Sequence, residues 1–201
     1  MSGRPAATRL EGMDKRIAFF GAPLLVSVYG LVRIADGFDG ERGPGLAWTT
    51  GHLAFLGALA LFGVVLWEAR RLAGGGTFAT GTTVVGFVGI MFAMAQFGID
   101  IVIGSLATDH ADMAGMFQDV RTVPGLDLAV YDAGPPLFYL GLLVAVVHLA
   151  AVRAVPAWSP VAVVFGVLAS MVELDLLPLA GLLMLAAFAP LARPVPSLAR
   201  A

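Results

Sequence analysis

Asp100 stands in the run Gln96-Phe-Gly-Ile-Asp-Ile-Val-Ile-Gly104, one of the most apolar stretches of the chain. A carboxylate in such a place does one of two kinds of work. It exchanges protons or receives a ligand, or it fastens neighbouring helices through a hydrogen bond or ion pair. Gln96 lies one helical turn before Asp100 on the same face and Gly104 one turn after, which makes a narrow polar stripe along one helix. His52 follows Trp48-Thr-Thr-Gly51 directly, and Glu173 and Asp175 interrupt another apolar run. Arg33 and Arg42 could supply counter-charge. If these groups converge, Gln96, Asp100, His52, Glu173 and Asp175 edge a ligand pocket. The same convergence would allow catalysis, with a desolvated Asp100 donating a proton and His52 or Glu173 receiving it.

Other constellations are weaker. Asp109, His110 and Asp112 put three potential metal ligands on one loop, with no fourth in sight. Asp36, Asp39 and Glu41 lie in a turn-rich stretch that could meet calcium, but their spacing departs from the twelve-residue calcium loop. His52 and His148 belong to opposite ends of their helices and cannot ligate one haem iron together. The only lysine, Lys15, lies outside the apolar segments, so no Schiff base to retinal is expected in the bundle. With no cysteine, disulfides and thiolate metal sites are excluded. No phosphate-binding loop, nucleophile elbow or zinc-protease motif occurs, no basic cluster suggests nucleic acid, and no internal repeat is apparent. No cofactor is expected.

The elements that must position these residues follow from composition. Of 201 residues 59% are hydrophobic and only 13% charged, and the mean hydropathy is +0.89. These values belong to a membrane protein. Apolar segments run over about 17–35, 47–67, 83–107, 134–152 and 158–192. A bilayer-crossing helix needs about 20 apolar residues. The last run is too long for one helix and carries Glu173, Asp175 and Pro178 near its middle, so it reads as two, about 158–172 and 176–192; a re-entrant hairpin is the alternative. In the third helix, Gly86, Gly89, Ala93, Gly98 and Gly104 suit close packing at the centre of a bundle.

Charge sets the orientation. The tail 1–16, the connectors 68–82 and 153–157 and the tail 193–201 hold nine basic residues (Arg4, Arg9, Lys15, Arg16, Arg70, Arg71, Arg153, Arg193, Arg200) against three acids (Glu11, Asp14, Glu68). The alternate connectors hold three arginines (Arg33, Arg42, Arg121) against ten acids (Asp36, Asp39, Glu41, Asp109, Asp112, Asp119, Asp127, Asp132, Glu173, Asp175). Basic excess marks the cytoplasmic side. Asp100 then lies about seven residues, roughly 10 Å, below the outer end of its helix. An ionised Asp at the bilayer centre costs about 2.5–3.5 kcal/mol, so it should face protein or water. In the long outer loop, Met113, Met116, Phe117 and Val120 recur at helical spacing, with Asp109 placed to cap them.

The expectation is an all-α bundle: a cytoplasmic tail 1–16, one membrane domain 17–192 of six transmembrane helices, a tail 193–201 on the same side, and a short interfacial helix in the outer loop. It resides in the cell membrane, in a bacterium. The function expected first is a pocket opening to the extracytoplasmic side that binds or transports a small apolar or cationic molecule. A membrane-embedded acid–base enzyme acting on a lipid-soluble substrate is the alternative, and an accessory subunit of a membrane complex or oligomer the third.

Overall fold

The computed structural model describes residues 6–38 and 40–192, with side chains from Lys15 onward; Asp39, the first five residues and the tail 193–201 lie outside the described residues. Its elements in chain order are α1 (Ala6–Asp36), α2 (Leu46–Leu72), α3 (Thr77–Leu106), α4 (His110–Arg121), α5 (Gly134–Ala151), α6 (Trp158–Val172) and α7 (Leu177–Phe188). A π-helical stretch, Asp127–Ala133, runs straight into α5, and 3-10 turns Leu174–Leu176 and Ala189–Ala192 flank α7. No strand occurs among the described residues.

Five stretches are long and apolar enough to cross a bilayer: Lys15–Asp36, Leu46–Leu72, Thr77–Leu106, Asp127–Ala151 and Leu174–Ala192. The sixth apolar helix, α6, has 15 residues. At the helical rise it measures only about 22 Å, short of a hydrocarbon core about 30 Å thick. Three helices also start well before their expected limits: α1 by Ala6 rather than 17, α3 at Thr77 rather than 83, and the helix containing α5 at Asp127 rather than 134. Hydropathy marks the part of a helix that prefers hydrocarbon, whereas the backbone hydrogen-bond ladder continues into polar sequence until something stops it.

The outer surface has the character of a lipid-facing coat. Leu24, Val28 and Leu31 of α1, Val84, Val88 and Met91 of α3, Val161, Phe165 and Leu168 of α6, and Leu179 and Leu182 of α7 are all exposed. Apolar cover so continuous is foreign to a monomer in water and natural in a bilayer.

Six of the helices close a ring. α1 packs on α2, α2 on α3, α3 on α5, α5 on α6, α6 on α7, and α7 back on α1. The α5–α6 seam is the loosest of the six. At one level the middle of the ring is filled: Phe62 of α2 meets Phe138 of α5 and Phe188 of α7, with ring centroids 5.1 and 6.3 Å apart. Leu59, Leu66, Leu142 and Met184 complete this fully buried layer.

Small residues set how closely the helices approach, since lipid competes with every larger apolar side chain. A Cβ on Gly89 would fall on the backbone of Phe138, and one on Gly141 would press on the backbone of Gly86, so α3 and α5 meet almost backbone to backbone. Gly181 does the same for α7 against Pro23 and Ser27 of α1, where the Ser27 hydroxyl donates to the Pro178 carbonyl at 3.1 Å. Gly98 does not belong to this set: it faces open space, contrary to the packing role expected for it.

These two glycines separate packing from helix propensity. Gly89→Ala should destabilise the protein by about 1–3 kcal/mol through overpacking. Gly98→Ala should leave stability unchanged or raise it by up to about 1 kcal/mol, because Ala is the better helix former. Thermal unfolding in detergent decides; equal effects at both sites would refute the α3–α5 contact.

Candidate functional site

Asp100 sits six residues before the end of α3, which terminates at Leu106, and is 7% exposed. Two helices hold it in a closed circuit. The Trp48 indole Nε1 donates to the main-chain carbonyl of Asp100 at 2.8 Å. Its seat is Gly104, where any Cβ would collide with the indole. One turn along α2, His52 Nδ1 lies 2.7 Å from the Trp48 carbonyl. His52 Nε2 then faces the Asp100 carboxylate, 3.6 Å from Oδ2. A third element reaches the other oxygen: the Tyr131 hydroxyl donates to Asp100 Oδ1 at 3.1 Å.

This geometry assigns a proton. A carbonyl oxygen only accepts, so Nδ1 carries hydrogen and the neutral ring would turn a lone pair on Nε2 toward the carboxylate. Two acceptors in that position repel. At 3.6 Å the two groups are in charge contact, short of a hydrogen bond. The surroundings are buried and aromatic. Trp48, Phe97 and Tyr29 surround the imidazole with ring centroids at 4.2, 5.2 and 5.5 Å, and Phe55 stacks on Phe97 at 4.3 Å.

On the inward side of Asp100 the ring of helices is hollow. A cavity of about 260 Å³ is lined by Tyr29, Phe55, Ala93, Gln96, Phe97, Asp100, Pro135, Phe138, Tyr139, Ser170, Met171, Leu174 and Leu177. Phe138 joins this cavity to the aromatic layer around Phe62, which closes its floor. The walls are almost wholly apolar. Polar atoms come from Asp100, Gln96, Ser170 and two tyrosines, and the Ser170 hydroxyl is spent on the Val167 carbonyl at 2.8 Å. Gln96 differs: its Oε1 is buried and accepts no hydrogen bond from any described residue. Leaving such an acceptor unmade costs about 1–3 kcal/mol.

The expected residues thus divide. Gln96 and Asp100 share the cavity, and His52 reaches it through Asp100 while lying outside its wall. Glu173 and Asp175 are not brought to this site. Glu173 is exposed and its carboxylate accepts from Asp175 N at 3.4 Å, capping the 3-10 turn before α7. Asp175 is held at the rim by Arg42 Nη2 at 2.7 Å, with Arg33 Nε at 3.3 Å in charge contact but without hydrogen-bond alignment. Both arginines therefore answer Asp175 rather than Asp100. The two acids lie on a turn that must cap itself and meet its nearest charges, which leaves nothing to aim inward.

The loop acids are also occupied. Asp109 caps α4 by accepting from Asp112 N at 2.9 Å, Asp112 accepts from Thr108 N at 2.9 Å, and His110 Nδ1 lies 3.0 Å from the Arg42 carbonyl. Among the described residues no three His, Cys, Asp or Glu side chains gather as a metal site. His148 stands apart, edge-on to Phe78 at 5.0 Å.

Two contacts of the candidate site are absent from the sequence reading: the Trp48 indole and the Tyr131 hydroxyl. Tyr131 lies in the π-helical stretch that precedes Pro135 and Pro136. Neither proline has an N–H to return to the preceding turn, and a widened turn is one way for a helix to continue past them. The run Leu128-Ala-Val-Tyr131 immediately before the prolines was the available signal.

Comparison of the chain with protein-family profiles, with curated protein sequences and with solved structures finds no match.

A double-mutant cycle tests the circuit. His52→Leu strands a buried carboxylate and Asp100→Leu strands Nε2 and the Tyr131 hydroxyl, so each should lower stability by about 1–3 kcal/mol. The double variant should recover much of that loss, with a coupling of about 0.5–3 kcal/mol. Strict additivity in thermal unfolding would mean that the two side chains do not pair.

Proposed function

We propose that this chain is a six-span protein of the cell membrane whose cavity binds a small, mostly apolar molecule with a hydrogen-bond donor, a hydroxyl or an amine, at one end. The observation that carries this reading is the unpaired Gln96 Oε1, buried beside the Asp100 carboxylate in an otherwise apolar hollow. An acceptor without a donor defines what the missing group must offer, and the neighbouring carboxylate has lone pairs to share with it. The aromatic walls suit hydrocarbon or a ring, and with the carboxylate they also suit a protonated amine.

The topology proposed with it has both termini in the cytoplasm. The alternation of basic and acidic connectors supports it. So does the Arg42–Asp175 contact, which joins the α1–α2 loop to the α6–α7 turn at one end of the bundle. On this reading α6 crosses despite its length, with the bilayer thinned locally or the flanking residues snorkelling, and α4 lies at the outer interface. Binding is favoured over transport because the Phe62 layer closes the ring below the cavity.

Acid–base chemistry is the second reading, and the buried His52–Asp100 pair favours it. Asp100 both lines the cavity and pairs with His52, so a bound molecule would meet the pair without a relay.

The test uses octanol, octylamine and octane as probes of the protein in lipid nanodiscs. Octanol or octylamine should raise the unfolding temperature by ligand linkage, octane should not, and Gln96→Leu should abolish the difference. Equal shifts from all three, or an unaltered pattern in Gln96→Leu, would sink the proposal. An acid–base enzyme would in addition return chemically changed material from its own lipid extract. Retention of the octanol effect in the His52→Leu/Asp100→Leu double variant would reduce those two groups to helix fasteners.

A further inference from the structure

The cavity has a thin wall on one side only. Met171 and Leu174 line it, yet they are 66% and 44% exposed on the outer surface of the bundle. Side chains that meet both the hollow and the exterior form a wall one residue thick. Met171 belongs to the last turn of α6 and Leu174 opens the 3-10 turn before α7; Pro135 and Tyr139 of α5 line the same cavity. The α5–α6 seam is also the loosest of the ring.

The end of the bundle above Asp100 is shut. Trp48 is pinned on Gly104, Tyr131 covers the Asp100 carboxylate, and Phe117 of α4 packs edge-on to Trp48 at 6.3 Å, with Met113 of the same helix buried. Further out, Arg42 ties the α1–α2 loop to Asp175 and, through its carbonyl, to His110 at the start of α4. A molecule coming from water would have to break these polar ties and displace the indole. One coming from the side would have to move a methionine, whose unbranched thioether chain changes rotamer readily, and a leucine.

We infer that the cavity is reached sideways, from the hydrocarbon of the bilayer, through the α5–α6 seam with Met171 and Leu174 as its door, so that its ligand is a membrane-dissolved molecule. This rests on the binding reading above and narrows its ligand class. The donor head would go in first, toward Gln96 and Asp100, and the apolar remainder would follow along Phe138 and Tyr139.

The absence of native cysteine makes access measurable. Ala93→Cys places one thiol on the cavity wall. In nanodiscs, uncharged N-phenylmaleimide should label it at least tenfold faster than a charged methanethiosulfonate, relative to their rates on the same variant unfolded. Leu174→Trp, at an exposed position, should slow N-phenylmaleimide at least fivefold, whereas Phe117→Ala should not change its rate. Comparable labelling by the charged reagent, no effect of Leu174→Trp, or no labelling of the folded protein would each overturn lateral access. The probe needs no donor head, so failure here with a positive octanol test means another route into a binding cavity. Success here with a negative octanol test leaves the door in place and removes the donor requirement.

Discussion

A carboxylate held in a helix that faces hydrocarbon must find partners inside the protein, and the arrangement around Asp100 is the consequence. Its main-chain carbonyl takes the Trp48 indole, one oxygen faces His52 and the other takes the Tyr131 hydroxyl. Trp48 and His52 are four residues apart on α2, so the indole and the imidazole leave that helix on one face. The Trp48 carbonyl then fixes which nitrogen of His52 is protonated. α2, α3 and the π-helical stretch that leads into α5 are tied together by one acid. Gly104 is the structural condition for this, since only a missing side chain lets the indole lie down on α3.

The π-helical stretch has its place in the same constraint. It lies directly before α5, whose first turn carries Pro135 and Pro136. Without it the helix would start at the prolines and Tyr131 would belong to a solvated loop. With it, a hydroxyl is delivered to the second carboxylate oxygen, and Pro135 becomes part of the cavity wall. Widened turns of this kind recur at functional sites.

What could be read from residue order alone follows the same physics. Hydropathy, connector charge and the spacing of Met113, Met116 and Phe117 are properties of short stretches, and they locate the apolar helices, the α6–α7 turn and the capped helix α4. The polar stripe of Gln96, Asp100 and Gly104 is equally local and lies on one helix face. Partner choice is not local. Arg33 and Arg42 are equally available in sequence to Asp100 and to Asp175, and only the ring order, with α7 against α1, gives them to Asp175. Tyr131 was hidden for a different reason: its helix extends beyond the stretch that hydropathy can mark.

The two halves of the bundle differ in how they fill the ring. Around Phe62 three aromatic rings and their aliphatic neighbours occupy the centre completely. One level up, the same helices leave about 260 Å³ empty while keeping an amide oxygen buried and unpaired. Packing alone would favour filling that space, because each unoccupied volume forfeits dispersion contacts and an unmade buried hydrogen bond adds to the loss. Glycine contacts draw α3 to α5 and α7 to α1 at other levels, so the helices are capable of close approach. Where α5 and α6 stand apart instead, the short α6 ends, the wall thins, and the hollow adjoins the surface that faces lipid. The fold thus packs tightly where its glycines permit and leaves a hollow beside its one buried Asp among the described residues.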